Sequence, residues 1–132
     1  LDAVGETVTK IRFHYNDQLN EERPDKVVFV IITDGMENSS RVYTADKVRT
    51  LIKSSKEKYK WEFLFIGANL DAVREGARLG ITPDRSVNYH ADQEGSRVVY
   101  NTINNAMSHV RKGKQLNKEW MKDIDKDFQE RK

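Results

Sequence analysis

Lys26-Val27-Val28-Phe29-Val30-Ile31-Ile32-Thr33-Asp34-Gly35 sets the architecture of this chain. Its apolar, largely β-branched run leaves no polar face. The strand expected over residues 26–33 is therefore buried on both sides, as strands in helix-covered parallel sheets are. Thr33-Asp34-Gly35 stops it, and loop residues continue through Tyr43. Downstream, Thr44 is placed to cap a helix whose apolar side carries Val48, Leu51, Ile52 and Tyr59. A second apolar strand runs from Trp61 to Ala68, and Asn69 or Asp71 opens a short helix that ends at Gly80. Pro83 lies in the next connection, and Ser86–Tyr89 forms a short third strand. Asp92 caps a longer helix with Val99, Ile103, Ala106 and Val110 along one face. Gly113 breaks that pattern, and Leu116, Trp120, Ile124 and Phe128 then recur every four residues in a last amphipathic helix.

Upstream, Val4, Val8, Ile11, Tyr15 and Leu19 share one face of a helix over residues 1–20, which Pro24 terminates. This helix begins at Leu1 without a capping residue, so the chain opens as if on a cut edge. The alternation of helix and strand predicts right-handed βαβ crossovers and a three-layer, Rossmann-like α/β fold with a parallel sheet. Such sheets usually carry about five or six strands, and the most apolar strand is expected near their centre. Three strands are legible here, which reads as the latter part of a larger sheet. Residues 1–112 would form this partial α/β domain and residues 113–132 the C-terminal amphipathic helix.

The 132 residues suffice for one domain, with 37% hydrophobic and 33% charged side chains. Zero cysteines exclude disulfides, zinc–thiolate and iron–sulfur sites, and a cysteine nucleophile. No apolar run approaches the ~20 residues of a membrane span, and no signal-peptide pattern opens the chain. A cytoplasmic protein is expected. The net charge of +2 is small, and the surplus lies in residues 111–132, where basic and acidic groups alternate. G-x-G-x-x-G, P-loop, G-x-S-x-G and H-E-x-x-H patterns are missing, and His14, His90 and His109 stand apart without ligand spacing. No enzymatic activity is expected.

Ligand sites of open α/β sheets lie beyond the carboxyl ends of the strands, and Asp34 stands at such an end. A carboxylate there suits a hard cation such as Mg²⁺ or Mn²⁺, while the plainer reading has it accepting backbone N–H groups in a turn. Thr33, Gly35, Glu37, Asn38, Ser39 and Ser40 share the loop and would line a site, touch a partner or simply face solvent. Asn69 and Asp71 end the second strand on the same rim, either shaping the site or capping the following helix.

The run VVFVIITDGMENSS, then a helix, then WEFLFIGANLDAVREGARLGI, resembles the second half of a von Willebrand factor A domain, most closely the intracellular bacterial and phage members. The resemblance covers residues 1 to about 110. It implies a doubly wound parallel sheet and protein–protein recognition through a metal-ion-dependent adhesion site holding Mg²⁺ or Mn²⁺. Asp34 matches the family's aspartate after the fourth strand. The D-x-S-x-S motif is absent, and the family's threonine would fall upstream of Leu1. Asp84-Arg85-Ser86-Val87-Asn88 is a near miss that precedes a strand instead of following one. With one carboxylate in place, this chain should hold the ion weakly or not at all.

On the same implication the first strand of the domain would pair along residues 26–33. Without it their edge is a template for self-association, element exchange or a protein partner. Two other functions are weighed against recognition: a Mg²⁺-dependent α/β enzyme of phosphoryl chemistry using Asp34, and nucleic-acid binding through the basic tail. The Leu116/Trp120/Ile124/Phe128 stripe is expected to dock on the domain, since its exposure would be a liability.

Overall fold

Residues 1–18, 26–35 and 43–131 are described by a computed structural model. The apolar run becomes β1 (Val28–Thr33), paired in parallel with β2 (Glu62–Gly67), and β2 pairs in parallel with β3 (Ser86–Asn88). The register sets Val28 opposite Glu62 and Thr33 opposite Gly67, then Phe65 opposite Ser86 and Gly67 opposite Asn88. The strand order is β1-β2-β3. Among the described residues β1 therefore lies at an edge and not at the centre expected from its composition. β2 is the central strand, and all but its first residue are buried.

Five α-helices are found among the described residues: α1 (Asp2–Asp17), α2 (Ala45–Tyr59), α3 (Ala72–Arg78), α4 (Gln93–Arg111) and α5 (Lys122–Glu130). They cover both faces because β2 alternates its side chains between two cores. Leu64 and Ile66 pack with Val87, Val99, Ala106 and Ile124 on the α4–α5 side. Phe63 and Phe65 pack with Val8, Val48, Ile52 and Leu79 on the α1–α2–α3 side. Side-chain caps start three of the helices: Thr44 accepts from Lys47 N at 3.2 Å, Asp71 from Arg74 N at 3.2 Å and Asp92 from Gly95 N at 2.7 Å. Gly76 lets α3 lie flat on β3, since a Cβ there would run into Ser86 Oγ.

The C-terminal stripe docks on the sheet, with Leu116, Trp120 and Ile124 buried in the α4–α5 core. Its geometry departs from one continuous helix. Trp120 Nε1–H donates to Asp84 O at 2.8 Å, and Arg85 Nη2 donates to Leu116 O at 2.8 Å. These bonds hold residues 114–117 out of helix. A 3₁₀ turn (Lys118–Met121), capped by Asn117 Oδ1 on Glu119 N at 2.9 Å, then leads into α5. Arg85 also pairs with Glu62 at 2.8 Å, so one guanidinium joins the start of β2 to the C-terminal segment.

Candidate functional site

All three strands are parallel, so Asp34, Asn69 and Tyr89 come to one end of the sheet. Thr33 ends β1 and donates its hydroxyl to Gly35 O at 2.8 Å, which tightens the turn around Asp34. Ala68 N donates to Thr33 O at 2.8 Å and continues the ladder one step past β2. Asn69 then adopts a left-handed backbone with φ of 59°, a conformation its short polar side chain tolerates. From there its Nδ2 donates to Asp34 O at 3.0 Å. Asn69 thus holds the two strand ends together through a backbone carbonyl, and the exposed Asp34 side chain remains directed to the rim.

The neighbouring loop is held by β3. Asn88 donates to Leu70 O at 2.6 Å and accepts from Ala72 N at 3.1 Å. Asp71 caps α3, the plainer of its two sequence readings. Tyr89 reaches from the far strand, and its ring is buried in the α4–α5 core. Burial first, and then the negative charge of Asp34, push its phenol above the ordinary value. Sequence reasoning passed over Tyr89 as the last residue of a strand; its relation to Asp34 exists only across the sheet.

On the β3 side the rim is closed. His90 Nε2 lies 3.0 Å from Phe128 O, with the two rings 4.7 Å apart. Arg131 forks onto Asp92 at 2.9 and 3.0 Å and also binds Asp127 at 2.8 Å. Arg131, and after it the Gly95 N–H, hold the Asp92 carboxyl down at about 2. The end of α5 is thereby clamped over the start of α4, an arrangement with no local sequence signal.

Glu37, Asn38, Ser39 and Ser40 lie outside the described residues. Among the described residues, no group of three or more His, Cys, Asp or Glu side chains gathers to hold a metal ion. Asp71 is committed to its helix cap, and Asp34 with neutral Tyr89 and Asn69 beside it does not make a divalent shell. The described residues do not fit a resident Mg²⁺ or Mn²⁺ by themselves. No family model matches the chain, and no curated protein and no solved structure matches it.

Proposed function

We propose that this chain is a protein-recognition module of the von Willebrand A type, in which β1 receives a further strand along its outer edge and Asp34 stands on the rim beside that contact. The carrying observation is the state of the edge. Val27 and Thr33 carbonyls accept from β2, so alternation directs the backbone groups of Phe29 and Ile31 to β2 as well. The N–H and C=O groups of Val28, Val30 and Ile32 consequently point away from the sheet. Among the described residues no strand meets them. Ile32 is 46% exposed, and a groove of about 230 Å³ runs between Val30 and Ile32 on one side and Val4 and Thr7 of α1 on the other. An apolar strand with unpaired backbone groups is a template for another strand.

Mg²⁺ or Mn²⁺ belongs to this reading only with oxygen donors brought to Asp34 from beyond the described residues. The resemblance of the T-D-G and G-A-N segments to the family supports placing the contact at this rim.

Hydrogen exchange tests the proposal. In dilute solution the Val28, Val30 and Ile32 amides should exchange freely while Phe29, Ile31 and Thr33 are protected. Raising the protein concentration should extend protection to the first three through self-association, and Ile32→Lys should abolish that extension without changing the far-UV spectrum. Equal protection along all of β1 in the dilute state, with a clean monomer by light scattering at high concentration, would overturn it.

A further inference from the structure

At the opposite end of the sheet from Asp34, a cleft of about 260 Å³ opens between the C-terminal half of α4 and the segment leading into α5. We infer that this cleft receives a basic side chain, the guanidinium or ammonium end of an arginine or lysine presented by a protein partner. It is a second contact surface, and its fate is independent of what β1 binds.

Size is the first argument. Clefts that enclose whole small-molecule ligands run to roughly 300–1,000 Å³, so this one suits a single long side chain. Its floor is apolar, made by Ala106, Leu116 and Trp120, which matches the methylene stem of Lys or Arg. The floor is also built in advance. Trp120 is fixed by its bond to Asp84 O and Leu116 by its bond from Arg85, so binding need not order either residue.

Charge is the second argument. Glu119 and Asp123 line the cleft as exposed carboxylates, and among the described residues neither has an ion-pair partner. Both line the one cleft, so a cation entering it is attracted by each. His109 completes the titratable lining.

The third argument is a polar group facing the cleft. Thr102 lines the same cleft with only 4% of its surface exposed, and its hydroxyl, which bonds to no described residue, is open to the cleft and not sealed in the core. A hydroxyl that faces the cleft is ready to accept from an N–H donor entering it.

The test uses the whole chain and a short blocked Gly-Arg-Gly peptide, followed by ¹H–¹⁵N NMR at the Trp120 indole and the Thr102 and His109 amides. The peptide should shift these signals saturably at millimolar concentration, and the citrulline peptide, equal in shape but neutral, should bind at least about tenfold more weakly. Glu119→Gln with Asp123→Asn should weaken the arginine peptide by a similar factor. Both carboxylates are exposed, so the fold should survive; Thr102→Val, of equal shape, should weaken binding severalfold as a second check. Equal binding of the two peptides, unchanged affinity in the double variant, or no shift at the cleft would each overturn the inference.

Discussion

If α5 is part of the core and not an appendage, truncating its central side chain must cost as much as truncating a core strand residue. Ile124 is 1% exposed and packs with Leu64, Ile66 and Val87 of the sheet. Ile124→Ala removes about three methylene-sized groups, worth about 2.4 kcal/mol in transfer terms. The cavity left behind adds about 1 kcal/mol, and the better helix propensity of alanine returns about 0.4 kcal/mol. The expected loss is about 3 kcal/mol, a large share of the ~5–15 kcal/mol of a typical domain. In urea, with a slope of roughly 2 kcal/mol per molar, the midpoint should fall by about 1.5 M with the slope unchanged. Phe13→Ala is the control: Phe13 is 77% exposed on α1, and its loss should stay within about 0.5 kcal/mol. Ile124→Val, costing about 1 kcal/mol, keeps the comparison possible if the alanine variant does not fold. A loss below about 1 kcal/mol for Ile124→Ala, at constant slope, would refute the packing of the C-terminal segment against β2 and β3.

The clamp at the end of α5 carries a pH signature. Because Arg131 and the Gly95 N–H hold the folded Asp92 carboxyl at about 2, below its ordinary value, its contribution to stability is present above the ordinary carboxylate range and is lost as pH falls toward 2. Arg131→Gln should move the Asp92 titration, followed by carboxyl-carbon NMR, up toward the ordinary value and flatten the acid limb of the stability curve; an unmoved Asp92 would remove the clamp. At the other side of the rim, Asp34→Asn should lower the Tyr89 phenol without returning it to the ordinary value, because burial is the larger cause. A Tyr89 titration indifferent to Asp34 would separate the two groups.

Much of this architecture is legible in the residues because each step rests on local physics. The doubly apolar run at 27–32, the caps at Thr44, Asp71 and Asp92, and the alternation of elements require no long-range knowledge, and they lead to parallel strands covered by helices. Parallel pairing then puts Asp34 and Asn69 on one rim. The position of β1 is different. Its hydrophobicity argues for a central strand, but composition reports how much burial a strand seeks and not which neighbours stand beside it. Tyr89 beside Asp34, Arg131 on Asp92 and Trp120 on Asp84 are likewise pairings of residues distant in sequence, for which no spacing rule exists.

Those missed pairings together explain why the two ends of the sheet differ. The segment from Leu116 to Arg131 is pinned at the amino ends of the strands by Asp84 and Arg85, buries Ile124 midway, and is clamped at the carboxyl ends by His90 and Asp92. It therefore lies along the sheet at the β3 side like a strap. At the carboxyl ends this fixes α5 over the last strand, which among the described residues leaves Asp34 and the outer edge of β1 as the accessible half of the rim. At the amino ends the same strap forms one wall of the cleft beneath Glu119 and Asp123. One apolar stripe whose helical periodicity is broken at Trp120 thus determines where both proposed contact surfaces can be.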